Sequence, residues 1–324
     1  MHKIVDWEAR IGRRVRLRDI HILLAVVQCG SMAKAALQLG VSQPAVSEAT
    51  ADLEAALGVR LLDRSRRGIE PTSYGKTLLK YGRAAFDELR QGVKEIEFLS
   101  DPTAGEIRIG CPESISSGPL LPIIERLSER YPRVRLHVDQ FNTPTLEFPE
   151  LDNRNIDLVL ARLDPRPASK RADNVNTEIL FNDRFCLAAG RQSRWAGRRK
   201  IDLAELVDEP WIMTPLDSPG GTTVIEAFRA HGLAVPQIMV TTYSVHLRNG
   251  LVANGRFLTA LPASIVALNL GQLYELPIKL PMPRWPVGIV TSKNRTLNPA
   301  VRLFIECARD IAKSMKERPQ TRKS

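Results

Sequence analysis

Apolar residues recur at helical spacing in two short segments between residues 31 and 57. In the second segment Val46, Ala49 and Leu53 share one side of a helix turning about 100° per residue, while polar residues occupy the other side. The first segment carries Ala35 and its neighbour Ala36, which are small enough for two helices to cross closely. The pattern therefore predicts a pair of amphipathic helices that bury their apolar sides together.

Each predicted helix has a start signal, and the first also has a stop signal. Ser31 is placed to cap the first helix with its hydroxyl, and Gly40 can end it in a left-handed conformation. Ser42 is placed to cap the second helix, and Pro44 lies in its first turn. This arrangement over residues 32–51 predicts a helix-turn-helix, in which the polar side of the second helix can enter a DNA groove.

An arginine-rich segment follows the helix pair. Residues 60–72 read RLLDRSRRGIEPT and predict a short β-hairpin with Gly68 at its turn. Arginines on such a loop suit the phosphate backbone and the narrow minor groove. An alanine-rich helix pair alone is equally consistent with core packing, and a charge run alone with a solvated surface. Their succession instead predicts a winged helix-turn-helix domain over residues 15–73.

Beyond the hairpin, apolar residues recur at roughly seven-residue steps in a polar segment that starts at residue 74. The rows of this heptad pattern are Leu79, Phe86 and Val93, and Gly82, Leu89 and Ile96. A narrow apolar stripe on a long polar helix favours dimerisation, and packing against the chain's own domains is the alternative. Residues 101–105, DPTAG, have the composition of a hinge, so residues 74–104 are predicted to be a linker and dimerisation helix with its hinge.

From residue 105 onward, short apolar strands alternate with helices. The predicted strands cover residues 107–109, 134–138, 156–160, 184–188, 211–213, 238–241 and 257–260. This rhythm predicts parallel α/β sheets. A strand over residues 286–290 and a helix around residues 299–313 are expected to return the chain to the first sheet.

The chain from Leu17 to about Ala312 resembles LysR-type transcriptional regulators, most specifically between Gly30 and Gly75. The residues that carry the resemblance are Gly30-Ser31-Met32, Ala35-Ala36, Val41-Ser42-Gln43-Pro44-Ala45-Val46-Ser47, Leu53-Glu54, Leu57-Gly58-Val59, Leu61-Leu62-Asp63-Arg64, Thr72 and Gly75. The resemblance implies an α/β multidomain protein with an N-terminal winged helix-turn-helix, a long linker helix and a C-terminal effector domain. That domain is expected to resemble periplasmic binding proteins, with two α/β subdomains.

The family topology also implies boundaries for the C-terminal part. The effector-binding domain is expected over residues 105–312, with crossovers near Leu180 and Pro283. Subdomain I would comprise residues 105–180 and 285–312, subdomain II residues 181–284, and a basic tail residues 313–324.

The resemblance places Gln43, Pro44 and Ser47 towards the major groove and Arg67 in the minor groove. The full set of expected DNA contacts is Ser31, Ser42, Gln43, Pro44, Ser47, Glu48, Arg64, Arg66, Arg67 and Thr72. Glu48-Ala49 departs from the family, which usually has Arg or Lys followed by Gln there. A carboxylate at this position repels phosphate but can accept a hydrogen bond from a cytosine amino group. Either the DNA contact is weaker at this position or the operator differs.

Ligands of open α/β sheets bind outside the carboxyl ends of the strands. The residues expected near such ends are Ser114, Ser116, Gln140, Arg162, Thr214, Ser218 and Thr222. Their hydroxyls suit a small polar effector, and Arg162 can pair with a carboxylate, so the effector is expected to be polar or anionic. For each residue singly, a helix cap or an ordinary surface polar group is an equally good explanation.

Composition adds a net charge of +10, which favours a polyanionic partner. The cysteines at positions 29, 111, 186 and 307 lack the spacing of a metal site or redox pair, so we expect reduced thiols, no metal and no cofactor. The sequence shows neither a signal peptide nor an apolar run of about 20 residues, which predicts a cytoplasmic protein without a membrane partner.

The expected function is sequence-specific transcriptional regulation by a homodimer or homotetramer. It would bind an inverted repeat in double-stranded DNA, and a small-molecule effector would change access for RNA polymerase. One alternative is an α/β-cleft enzyme using Cys111, His137, His231 or His246. The chain lacks GxSxG, GxxxxGK, GxGxxG and a metal-spaced histidine pair, so we expect no enzyme. The other alternative is an effector-independent architectural DNA-binding protein.

Overall fold

The computed structural model describes residues 13–65, 68–141, 148–163, 174–278 and 283–317. The chain divides into two units, one ending at Val93 and the other beginning at Lys94. This boundary falls within one long helix, so the helix contributes residues to both units. No helix among the described residues is long and apolar enough to cross a membrane.

The N-terminal unit is a helical domain followed by a hairpin. Its elements are α1 (Leu17–Cys29), α2 (Met32–Leu39), α3 (Gln43–Leu57), β1 (Leu62–Ser65), β2 (Gly68–Pro71) and the first part of α4 (Ser73–Ser100). Leu23, Val46 and Leu53 have no exposed surface and form the centre of its core. Gly40 ends α2 in the left-handed conformation with φ of 66°, as its position in the sequence predicts.

The hairpin differs from the prediction in the position of Gly68. Gly68 pairs with Ser65 and begins β2, so the expectation that it lies at the turn is wrong. Its φ is 121°, and a Cβ there would lie 3.2 Å from the carbonyl oxygen of Gly30. The glycine therefore allows the strand to pass close to the backbone of Gly30, to which Ile69 donates a hydrogen bond of 3.3 Å.

The heptad pattern of α4 divides into two parts. Leu79 is buried in the core of the N-terminal unit, and a Cβ on Gly82 would lie 2.6 Å from Cγ2 of Ile20. The later apolar residues of α4 are all more than half exposed: Leu89, Val93, Ile96 and Leu99. Packing within the N-terminal unit therefore accounts for the first part of the apolar stripe. The later part forms an exposed apolar face, which we call the seam.

The second unit contains two five-stranded sheets. The first has the order β4-β3-β5-β12-β6 and comprises β3 (Ala104–Cys111), β4 (Arg133–Gln140), β5 (Leu158–Arg162), β6 (Val175–Asp183) and β12 (Trp285–Ser292). The second has the order β11-β7-β10-β8-β9 and comprises β7 (Phe185–Gly190), β8 (Trp211–Met213), β9 (Ile238–Thr241), β10 (Leu258–Pro262) and β11 (Leu273–Glu275).

The helices of this unit cover the sheets and connect their strands. They are α5 (Glu113–Ser116), α6 (Leu120–Arg130), α7 (Pro149–Asp152), a 3-10 helix (Leu203–Leu206), α8 (Pro219–Ala230), α9 (Val245–Ala253), α10 (Ala263–Leu268) and α11 (Pro299–Glu317). Ile107, Ile123 and Phe304 meet in the core of the first sheet. Leu187, Trp211 and Phe228 meet in the core of the second.

The sheets are mixed, so the expectation of parallel sheets is wrong for part of each sheet. Strands β3, β4 and β5 run parallel, but β12 is antiparallel to both β5 and β6. In the second sheet, β7 is antiparallel to β10 and β11. Strand β12 returns from the second sheet at the edge where β5 ends, so it must run in the opposite direction.

Two of the expected domain boundaries differ from those in the structure. Strand β6 stays in the first sheet as far as Asp183, where it pairs with Trp285, so subdomain I extends beyond residue 180. Helix α11 continues to Glu317, so residues 313–317, expected in a basic tail, are helical. Residues 318–324 lie outside the described part of the chain.

Candidate functional site

Helix α3 presents a polar face away from the core of the N-terminal unit. Gln43, Pro44 and Glu48 are exposed and Ser47 is half-buried, whereas Val46 has no exposed surface. The hydroxyl of Ser42 accepts a hydrogen bond of 3.4 Å from the amide of Ala45, which caps the helix as the sequence predicts.

Ser31 and Thr72, two of the other expected DNA contacts, lie at the starts of helices. Ser31 lies at the N-cap of α2, but its side chain makes no capping hydrogen bond among the described residues, so that part of the prediction is wrong. Its φ of −156° and ψ of 135° place it in extended backbone before the helix. Thr72 donates to the carbonyl oxygen of Arg60 at 2.8 Å and accepts from the amide of Gly75 at 3.0 Å. Its hydroxyl therefore joins the hairpin to the start of α4.

The arginines of the hairpin are only partly within the described chain. The backbone of Arg64 lies in β1, paired with Ile69. Arg66 and Arg67, both expected to contact DNA, lie outside the described residues.

Glu54 fixes the hairpin relative to α3, a role that was not inferred from the sequence. Its Oε1 accepts hydrogen bonds from the amides of Leu61, at 2.7 Å, and Leu62, at 3.2 Å. A carboxylate that accepts two backbone N–H groups is a strong, charge-assisted link. The start of β1 is thus tied to the helix that carries Gln43 and Ser47.

In the C-terminal unit, Arg162 links the two sheets. Its Nη1 donates to the carbonyl and hydroxyl oxygens of Ser114, at 3.0 Å and 2.9 Å. Its Nη2 donates to Asp183 at 2.8 Å and to the hydroxyl of Ser264 at 3.0 Å. The side chains of Arg162 and Asp183 are 7% and 5% exposed, so this is a buried ion pair. Ser114 follows β3 of the first sheet and Ser264 follows β10 of the second, so Arg162 lies at the cleft between them.

The other predicted cleft residues form two separate groups. Gln140 donates to the hydroxyl of Ser116 at 2.8 Å, which brings those two together beside Ser114. Ser218 accepts from the amide of Gly221 at 3.1 Å and so caps α8, and Thr222 donates to the carbonyl of Leu216 at 3.1 Å.

Thr214 lies beside this second group. Its Oγ1 is 3.3 Å from the position of a Cβ on Gly220. The hydroxyl of Ser218 is engaged as a helix cap, which is the alternative that the sequence left open for it.

The cleft contains a further contact between the sheets, made by Glu113. Its Oε1 accepts from the amide of His246 at 2.9 Å and lies 3.4 Å from the hydroxyl of Ser244, at the N-terminus of α9. Sequence reasoning missed Glu113, because its partners Ser244 and His246 lie 131 and 133 residues further along the chain. It also missed Asp183, whose partners are Arg162, 21 residues earlier in the same sheet, and Ser264, 81 residues later.

Arg248 on α9 is 3% exposed, and its Nη1 donates to the carbonyl of Ala260 at 3.2 Å. Burial lowers the pKa of this guanidinium to about 10; the nearby carboxylate of Glu113 opposes the effect, and the guanidinium of Arg162 adds to it. The signal for Arg248 was present in the sequence, because it lies between Val245 and Val252 on the apolar side of α9.

Cys111, Cys186 and Cys307 are buried in the core, whereas Cys29 is half-buried. Burial raises the pKa of the Cys111 thiol to about 11, and burial also raises the pKa of Cys186 and of Cys307. All of the cysteines are free. Among the described residues, no group of three or more His, Cys, Asp or Glu side chains could hold a metal ion.

Two family profiles match the chain. The one described as "Bacterial regulatory helix-turn-helix protein, lysR family" covers residues 17–76, and the one described as "LysR substrate binding domain" covers residues 100–313. Together they confirm the predicted order of an N-terminal helix-turn-helix domain followed by a C-terminal α/β effector domain.

Curated relatives match over almost their full length. The chain is 25% identical over 298 residues to the HTH-type transcriptional regulator TdcA of Escherichia coli K12, covering 92% of this chain and 93% of the relative. It is 28% identical over 293 residues to the transcriptional dual regulator GltC of Bacillus subtilis 168, covering 90% and 96%.

Solved structures share the fold. Full-length CbnR in complex with its target DNA aligns with a TM-score of 0.61 at 22% identity, over 92% of this chain and all of that one. A full-length variant of OxyR from Pseudomonas aeruginosa aligns with a TM-score of 0.64 at 21% identity, over 96% and 99%. At these identities the likeness is evidence of the fold alone.

Proposed function

Because the chain belongs to the LysR family of transcriptional regulators, we propose that it reads an operator with the polar face of α3 and the arginine-rich hairpin. It is a DNA-binding regulator under the control of a small molecule that binds the C-terminal domain. The observation that carries the proposal is the outward polar face of α3, capped by Ser42 and tied to the hairpin by Glu54.

Within that function, Gln43, Pro44, Ser47 and Glu48 contact base edges in the major groove. The dimensions of that groove admit one helix, and amide, hydroxyl and carboxylate groups are the ones that discriminate base edges there. The arginines of residues 64–67 bind the phosphate backbone and the minor groove, which supplies affinity without a sequence preference.

The regulator acts as a homodimer or homotetramer joined through α4. The exposed residues Leu89, Val93, Ile96 and Leu99 support this proposal, because they follow one another at spacings of three or four and so share one side of the helix. Two reading domains held by such a pair would recognise two half-sites, which makes the operator an inverted repeat.

The effector binds in the cleft between the two sheets and changes how the bound protein affects RNA polymerase. Arg162, with Ser114 on one side and Ser264 on the other, supports this site because a single side chain there contacts both subdomains. The raised pKa of Cys111 argues against a cysteine nucleophile in the cleft, since the thiol stays protonated near neutral pH.

The experiment that tests the proposal is selection of bound duplexes from a random pool with the purified full-length protein. The proposal predicts enrichment of one inverted repeat, and enzymatic footprinting should then protect both of its halves. A pool that remains random after several rounds, with binding governed by salt alone, would contradict sequence-specific recognition.

A further inference from the structure

We propose that the N-terminus of α9 and the nearby Arg248 form a carboxylate-binding site, in which Glu113 occupies the helix N-terminus in the effector-free protein. An anionic effector, a small organic acid, acts by replacing Glu113 at this site. The inference rests on the proposed function, because it concerns the cleft in which the effector binds.

The chemistry of the site is visible in the carboxylate that already occupies it. Glu113 comes from α5 in the first subdomain and accepts hydrogen bonds from the amide of His246 and the hydroxyl of Ser244 in the second. Unpaired N–H groups and the helix dipole make the N-terminus of a helix a natural site for an anion. Glu113 therefore acts as an internal ligand and, at the same time, as a link between the subdomains.

The burial of Arg248 is an independent observation that points to an anion. Its side chain is almost completely buried, and its Nε has no hydrogen-bond partner among the described residues. No salt bridge joins it to a carboxylate of the described part of the chain. A buried guanidinium without such a partner is costly, and an anion placed beside it would recover that cost.

Two charged groups of the other subdomain lie close enough to Arg248 to act on its charge. The charged groups that act on it are Glu113 and Arg162, and both belong to the first subdomain, whereas Arg248 belongs to the second. Charges act on each other at this strength only when they are close together, so the guanidinium lies near the Glu113 carboxylate without forming a salt bridge to it.

The same geometry explains how binding would produce a signal. A carboxylate from the effector would compete with Glu113 for the amide of His246, and two carboxylates in contact repel each other. The effector would thus remove the link made by Glu113 while Arg162 still joins Ser114 to Ser264. Binding would favour one arrangement of the subdomains over the other, as any effector must.

The test is chemical rescue of Glu113→Ala by acetate in the full-length protein. The measured quantity is the melting temperature. The substitution removes the internal carboxylate and leaves room for acetate. We expect sodium acetate to raise the melting temperature of this variant by about 2 °C or more relative to sodium chloride at equal ionic strength. The wild type should not respond, because Glu113 occupies the site. Glu113→Gln keeps a hydrogen-bond acceptor and should respond less.

Controls separate the site from general salt effects. Glu125→Ala removes an exposed carboxylate from α6 and should show no response to acetate. Acetamide, which is neutral and similar in shape to acetate, should not rescue Glu113→Ala. In that background, Arg248→Lys should keep the rescue and Arg248→Met should abolish it. If Arg248→Met does not fold, the comparison of acetate with acetamide still tests the requirement for an anion.

Equal responses to acetate, chloride and acetamide, or an equal response of wild type and Glu113→Ala, would overturn the inference. The experiment contains no DNA, so its result is separate from the proposed function. If the protein selects an operator but acetate does not rescue Glu113→Ala, the proposed function stands and the proposed carboxylate site is wrong. If acetate rescues Glu113→Ala but the protein selects no operator, the carboxylate site stands and the proposed function is wrong.

Discussion

At Gly75 a side chain has no room. A Cβ there would lie 2.1 Å from the carbonyl oxygen of Leu61, a backbone atom that cannot rotate away. We expect Gly75→Ala to lower the free energy of unfolding by about 1–3 kcal/mol, measured by calorimetry or denaturant titration. Gly250→Ala in α9 is the matched helical control, because a Cβ at Gly250 meets nothing within 4 Å. It should instead raise stability by about 0.5–1 kcal/mol, and equal losses in both variants would refute the steric explanation.

At the residue scale, local chemistry predicted Ser42 and Gly40 correctly but Gly68 and Ser31 incorrectly. The cap at Ser42 and the left-handed Gly40 depend on neighbours within four positions, so the sequence is sufficient. Gly68 is required by the passage of β2 beside Gly30, a contact between residues far apart in the chain. A turn and a close approach favour the same residue, and the sequence does not distinguish them.

Among the elements, the hairpin depends on Glu54. Replacing this residue by Ala leaves two amides of β1 without their acceptor, and we expect a loss of about 1.5–3 kcal/mol in the free energy of unfolding. Glu54→Gln should lose less, because its amide oxygen still accepts. Asp52→Ala removes an exposed carboxylate two residues earlier in the same helix and should be nearly neutral. If Asp52→Ala were as damaging as Glu54→Ala in thermal denaturation, the link to the hairpin would be unimportant.

The second half of α4 carries the prediction about assembly. Placing carboxylates at Val93 and Ile96 puts like charges into the proposed seam, so Val93→Glu with Ile96→Glu should convert the oligomer to monomer. Sedimentation equilibrium measures this directly. Lys94→Gln changes a half-buried residue on the opposite side of the helix and should leave the mass unchanged. A double variant with the mass of the wild-type oligomer would exclude this face as the contact.

At the scale of the whole molecule, Arg162 is the side chain that joins the two subdomains most directly. Its replacement by Met leaves Asp183 buried without its cation, which typically costs about 3–5 kcal/mol. Calorimetry of the C-terminal transition should show this loss. The pair of Arg309 with Glu178 is exposed, so Arg309→Met should cost less than about 1 kcal/mol. Similar losses in the two variants would show that burial of the Arg162 pair has no special effect.

The architecture was predictable where the pattern is local and unpredictable where strands meet over long distances. The alternation of apolar segments indicates an α/β unit, but it does not give strand direction or reveal that β6 pairs with β12. The burial of β6 is mixed and lacks strict alternation, so the pattern predicts no strand over residues 175–183. The residues of the cleft were unpredictable for the same reason. Glu113 acquires its role from partners in the other subdomain, and Asp183 acquires its role from Arg162 and Ser264, which are both distant from it in the chain.

The account depends most on the polar face of α3, and one measurement tests that dependence directly. Operator affinity should be compared with affinity for random duplex, over a range of salt, for the wild type, Gln43→Ala with Ser47→Ala, and the control Glu125→Ala, which changes an exposed residue of the C-terminal unit. The account predicts that the double variant loses its preference for the operator and keeps weak, salt-sensitive binding, while the control retains the wild-type preference. A double variant that still prefers the operator as strongly as the wild type would contradict the account.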